Sequence, residues 1–264
     1  MIADGIHYAL PEDAYHADPA ISNSGLSLVA KSPAHYRQRA ERATTAALVK
    51  GRALHALVLE GRREHVVQPT FSGTGAVARR AEWKAAHEGQ AILSESDATA
   101  VDAMALAVAQ HPFAAKLVTG EGLSEVSLFW TEADGTRCKA RIDKLLANGV
   151  IVDLKSARDA SPDGFARSVA NYRYHCQEEW YRRGAAALGI DVRGFVFVAV
   201  ESAAPHGVGC YVLDDETRET GRRLIRAALA EYREAAATNV WRTYTTQALT
   251  IGIPAWAHYV AEEE

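Results

Sequence analysis

The sequence is poor in cysteine, in long apolar runs and in the glycine–lysine pairs that build phosphate loops. Its 264 residues include three cysteines, Cys138, Cys176 and Cys210. They are odd in number and far apart, which points to a reducing compartment without a disulfide framework. They are also too few and too scattered for a four-cysteine iron–sulfur cluster. No stretch approaches the roughly 20 apolar residues of a membrane span. The opening MIADGIHYALPED has neither a basic start nor a long apolar run, so it does not read as a secretory signal. The expectation is a cytoplasmic protein with no membrane partner. No Gly-Lys dipeptide occurs, which excludes a Walker A loop and an ATP-driven motor. No His-Glu-x-x-His or Cys-x-x-Cys pair suggests zinc, and no Gly-x-Ser-x-Gly elbow suggests a serine hydrolase.

What is present is an ordinary globular composition, 48% hydrophobic and 23% charged. The length allows one large domain or two small ones. The net charge of −4 argues against a nucleic-acid partner, but its distribution does not. Residues 1–30 carry four acids and no Lys or Arg, whereas residues 31–84 carry eleven Lys and Arg against four Asp and Glu. That block is either an electrostatic footprint for phosphates or a solvated helical surface that is incidentally basic.

Along the chain, Ser22 and Ser24 are N-cap candidates for a helix in 21–39 that Pro33 breaks or restarts. Helices are expected at 45–60, 79–90 and 95–110, the last opened by a capping box of Ser94 and Asp97. Residues 68–78 read as a loop. The pattern then alternates. Strands at 123–131 and 136–146 flank Ala-Asp-Gly as a hairpin, and a third strand covers 149–155. Helices near 162–171 and 173–188, strands at 192–200 and 207–213, and a helix over 215–237 follow. An irregular tail ends in Glu262, Glu263 and Glu264. The order predicts an α/β fold, a mixed sheet sandwiched by helices. We read one domain over 1–264, with a helical part at about 20–118, a core at about 119–215, and a C-terminal helix and tail at 216–264.

The chemistry lies in Cys138-Lys-Ala-Arg-Ile-Asp143 and Ile151-Val-Asp153-Leu-Lys155. Alternate strand residues share a face. Asp153 and Lys155 therefore lie together, and Asp143 can join them if the two strands pair. Close carboxylates repel unless a hard cation lies between them. Oxygen ligands suit Mg²⁺ or Mn²⁺, with the Leu154 carbonyl available beside Asp153. Lys155 could orient or deprotonate a water and offset phosphate charge. Glu125, on the preceding strand, is either a metal contact, direct or through water, or a surface residue.

Asp143, nine residues, then Asp153-x-Lys155 resembles the signature of the PD-(D/E)xK nuclease superfamily. The proline that precedes the first aspartate in the written signature is here Ile142. Gln177-x-x-x-Tyr181 resembles the Gln-x-x-x-Tyr motif of the RecB-like branch, and Gly51-Arg-Ala-Leu-His55 its Gly-x-x-x-His helix. The stretch ISNSGLSLVAKSPAHYR is similar to the first helix of RecE-type, exonuclease VIII-like phage and prophage exonucleases. The resemblance spans roughly residues 20–215. It implies a Mg²⁺- or Mn²⁺-dependent exonuclease acting on double-stranded DNA ends in phage-type recombination. Asp143, Asp153 and Lys155 would be its core, His55 a ligand or near neighbour of the metal, and Gln177 and Tyr181 would position DNA or the lysine. It also implies a ring of three or four copies and a single-strand annealing protein as partner. Ser24 is either a phosphate contact at a helix N-terminus or a plain cap. Arg37, Arg39, Lys50 and Arg52 are candidate DNA-backbone contacts. An endonuclease of the same fold, or an inactive DNA-binding protein on a nuclease scaffold, are the competing readings. The intact Asp143, Asp153 and Lys155 argue against the second.

Overall fold

The computed structural model describes residues 1–39 and 45–254, so the acidic tail end lies outside the described residues. The first half is mostly helical: β1 (Gly5–His7), α1 (Glu12–Ala17), α2 (Asn23–Lys31), α3 (Pro33–Arg37), α4 (Ala46–Glu60), β2 (His65–Val67), α5 (Ala76–Ala86), β3 (Ala91–Leu93), α6 (Glu95–Gln110) and α7 (Pro112–Thr119). The second half alternates: β4 (Gly122–Thr131), β5 (Arg137–Leu146), β6 (Val150–Ala157), α8 (Pro162–Tyr172), α9 (Tyr174–Ala187), β7 (Gly194–Glu201), β8 (Val208–Tyr211) and α10 (Asp215–Thr238).

Local chemistry sets most boundaries. The Ser22 side chain caps α2 by accepting from the Gly25 amide. Ser32 caps α3, with Pro33 in the first position where its missing N–H is harmless. Ser94 caps α6 by accepting from Asp97 N, and its hydroxyl donates to the Asp97 carboxylate at 2.8 Å. Gly61, at φ 64°, ends α4 in the left-handed conformation that glycine adopts without penalty. The helix expected at 79–90 runs instead over 76–86, started by Gly75. The elements β1, α1, β2, β3 and α7 have no counterpart in the sequence reading.

Six strands form one mixed sheet in the order β1-β4-β5-β6-β7-β8. Only β6 and β7 are parallel; the other neighbours are antiparallel. One face packs on α2, α8, α9 and α10 through Val126, Leu128, Trp130, Ile142, Ile151, Phe195 and Phe197. The other packs on α4, α6 and α7 through Val152, Leu154, Val196, Val198 and Val200. Strands buried on both faces read as continuous apolar runs, which explains FVFVAV in β7. The N-terminal segment covers the second face of β4–β5. Lys139 Nζ donates to the Tyr15 and Asp18 carbonyls at 2.7 and 2.6 Å, and Arg141 Nη2 to the Leu10 carbonyl at 2.6 Å. Among the described residues, no helix is long and apolar enough to cross a membrane.

Candidate active site

Two irregularities in the sheet create the site. First, β4 and β5 pair regularly from Gly122↔Leu146 to Thr131↔Arg137 but skip the rung of Glu125 and Asp143. Glu125 has φ +53°, unusual for a residue with a side chain. The strands turn over at this rung. Ile142 and Leu145 meet the same core although three residues apart. Ser124, two residues before core-facing Val126, donates to the Leu59 carbonyl of α4 on the other side. Second, β5 and β6 pair only at Lys144↔Val152 and Leu145↔Ile151. Beyond them the strands part, and the chain at Ile21 pairs with Cys138 instead. Into that gap Asp143 Oδ2 projects, accepting from the Leu154 amide at 2.9 Å.

Helix α4 brings His55 to the same place. Its Nε2 donates to the Leu154 carbonyl at 2.8 Å, which aims Nδ1 at the carboxylates. Nδ1 lies 3.6 Å from Asp143 Oδ2 and 3.9 Å from Glu125 Oε1. One donor atom each from His55, Glu125 and Asp143 falls within a 4.8 Å set. Burial disfavours the imidazolium, but Asp143 and Glu125 outweigh it and raise the His55 pKa to about 9.

Asp153 and Lys155 face the α9 side. Asp153 is fully buried and forms an ion pair with Lys155. Its Oδ2 accepts from Gln177 Nε2 at 2.6 Å, and the same amide donates to Tyr181 Oη at 2.9 Å. Its Oδ1 is sealed from solvent and faces the Lys155 ammonium. Burial lifts the Asp153 pKa to about 6, against the pull of Lys155. Burial also works against the Lys155 charge, but Asp153 and Asp143 more than compensate and hold the ammonium above its usual range. Tyr174 completes this side, its ring centroid 4.9 Å from Lys155 Nζ.

The arrangement suits a divalent cation. Both His55 Nδ1 distances are shorter than the span of about 4.2 Å between two ligands on opposite sides of an ion with bonds of ~2.1 Å. Three carboxylates share the neighbourhood with one ammonium and one imidazolium, so positive charge is in deficit by one.

Of the expected residues, Asp143, Glu125, His55, Asp153, Lys155, Gln177 and Tyr181 come together. Asp153 stands apart from the three-residue ligand set, on the lysine side. The Leu154 carbonyl, expected to serve the metal, accepts from His55. The cations proposed for DNA do not gather. Arg52, one turn before His55 on α4, pairs with Glu12 at 2.5 Å. Lys50 pairs with Asp97 at 3.2 Å. Arg37 lies over the Trp241 ring and Arg39 over that of Tyr36. Ser24 is exposed in the first turn of α2, its hydroxyl 3.0 Å from that of Ser22, which is the cap. In the basic block, Arg62 and Arg63 are also paired, with Glu60, Glu64 and Asp102. Sequence reasoning missed Tyr174, although its place three residues before Gln177 on one helix was a usable signal.

A family model described as a PDDEXK-like domain of unknown function (DUF3799) matches residues 22–250. Among curated proteins none matches the chain. A solved structure of a candidate exonuclease from Eubacterium rectale superposes with a TM-score of 0.67 at 13% identity, covering 95% of this chain and 98% of that one. The structure of SSO0001 aligns over 71% of this chain and 86% of its own at 14% identity, with a TM-score of 0.30, too low to bear on the fold.

Proposed function

The chain belongs to the PDDEXK-like domain family DUF3799, and from that premise we propose that it is a metal-dependent deoxyribonuclease degrading double-stranded DNA from its ends. The observation that carries the reading is the meeting of His55, Glu125 and Asp143 with the Asp153–Lys155 pair at the parting of β5 and β6. His55, Glu125, Asp143 and Asp153 would hold Mg²⁺ or Mn²⁺. When bound, the cation supplies Lewis-acid polarisation of the phosphate and offsets its charge. Lys155, held charged by Asp153 and Asp143, orients water and donates to the phosphate; in that state it cannot take a proton. Gln177 fixes the Asp153 carboxylate, and Tyr181, neutral because burial pushes its hydroxyl well above the usual range, presents a donor.

Attack at ends, a role in phage-type recombination beside a single-strand annealing protein, assembly into a ring of three or four copies and residence in the cytoplasm follow from the resemblance to RecE-type exonucleases. The deciding experiment is digestion of 5′- and 3′-labelled linear duplex beside a covalently closed circle, with Mg²⁺ or Mn²⁺. Loss of label from the linear duplex with the circle intact supports the exonuclease. Cutting of the circle makes it an endonuclease, and no cleavage under any condition overturns both. Light scattering at micromolar protein tests the ring, and a monodisperse monomer removes it.

A further inference from the structure

Next to the lysine is a column of aromatic rings that the catalytic groups do not explain. Helix α8 ends at Tyr172 and α9 begins at Tyr174, with Arg173 between them in the left-handed conformation at φ 59°. A side-chain-bearing residue held there marks a corner fixed by its surroundings. The corner sets the Tyr172 and Tyr174 rings 5.7 Å apart, tilted by 30°. Tyr174 is anchored inward on Phe197 at 5.9 Å and Phe165 at 5.9 Å, both buried. The same Tyr174 ring lies 4.9 Å from the Lys155 ammonium. Tyr172, by contrast, is 68% exposed. The column thus runs from the core, past the lysine, to a free ring at the surface.

A ring built in this way presents a flat, pre-ordered apolar face within about 11 Å of Lys155 Nζ. At 3.4 Å per stacked nucleotide, that is a reach of about one to three nucleotides from the phosphate the lysine would serve. Every nucleobase has a π-face, so such a ring binds a base without reading its identity. We propose that Tyr172 is a stacking platform for an unpaired base of the substrate strand next to the cleaved bond, with Tyr174 as the ring that positions it. This rests on the nuclease reading and adds to it a requirement for a locally unpaired nucleotide at the site.

The test compares wild type, Tyr172→Ala and Tyr172→Phe on labelled linear duplex carrying a short single-stranded tail, with Mn²⁺. Tyr172→Ala is expected to raise KM about five- to 150-fold with kcat unchanged at saturation, and Tyr172→Phe to restore KM. A single abasic nucleotide moved through the first three positions beside the scissile bond should weaken wild type at one position by the same factor. It should have no effect there in Tyr172→Ala. Because Tyr172 is exposed, the alanine variant is expected to keep its fold, which circular dichroism verifies. A wild-type KM in Tyr172→Ala, or equal sensitivity to the abasic site in both proteins, overturns the platform and leaves the nuclease standing. Failure of the wild type to cut any DNA overturns the nuclease reading itself.

Discussion

Metal binding should expel a proton from His55, and the structure sets how strongly pH governs the affinity. Without metal the imidazole is held charged by Asp143 and Glu125, with a pKa of about 9. A cation needs the neutral ring, so proton and metal compete for Nδ1. At pH 7 the ring is about two units below its pKa, which costs metal binding about 2.7 kcal/mol, or roughly a hundredfold in affinity relative to pH above 9. The sign is fixed by the competition: affinity for Mn²⁺ rises about tenfold per pH unit up to ~9 and then flattens. The window should start near pH 7, because Asp153, at about 6, is ionised above that. Titration calorimetry in two buffers of different ionisation enthalpy counts the protons released, and nearly one per ion is expected at pH 7. His55→Gln should abolish both the release and the slope. A flat affinity between pH 7 and 9, with no proton released by the wild type, would refute the assignment of His55 as a ligand.

Other expectations follow from single contacts. Asp143→Asn and Asp153→Asn should each lose cleavage and weaken Mn²⁺ binding, and wild-type turnover in either would remove it from the site. Lys155→Ala should slow turnover more than about tenfold, ~1.4 kcal/mol of barrier, while calorimetric Mn²⁺ affinity stays within the same order; a smaller loss denies it the catalytic role. Glu132 accepts from Trp130 Nε1, Arg183 and Arg233, and the Arg183 contact leads in lowering its pKa from 4.5. Its stabilisation is present above pH 4.5 and is lost as pH falls through the lower folded value, so Glu132→Gln should cost about 1–3 kcal/mol in urea unfolding at pH 7 and less in acid. A Cβ on Gly184 would come within 2.6 Å of the Trp130 ring, so Gly184→Val should lose about 1–3 kcal/mol, read as a fall in thermal midpoint.

The alternation of β4 to β6 and the caps at Ser22 and Ser94 were legible because they are local: one face, one turn, one hydroxyl. Asp153 and Lys155 were legible as a pair for the same reason, being two residues apart on a strand. The N-terminal covering segment was not, since Lys139 and Arg141 grip it through backbone carbonyls more than a hundred residues away, and carbonyls carry no sequence. Nor was α7, eight residues opened by the ring of His111 accepting from Ala114 N, a cap outside the usual Ser, Thr, Asp and Asn. The position of Glu125 depends on a positive φ that its residue type does not advertise. The basic block looked like one surface in the sequence. Folding distributes it over several helices and hands much of it to carboxylates.

The skipped rung at Glu125 and Asp143 ties proofreading of the fold to the site. Strand register is a parity: a slip of one residue exchanges the faces of a whole strand. In this hairpin the exchange point itself carries the two carboxylates, and both sheet faces are packed against other elements. A β5 slipped by one residue would leave Glu125 opposite a different neighbour and would also drive Lys139 or Arg141 toward the core now filled by Cys138, Ala140 and Ile142. Chains with misplaced carboxylates would therefore be the chains that fail to fold.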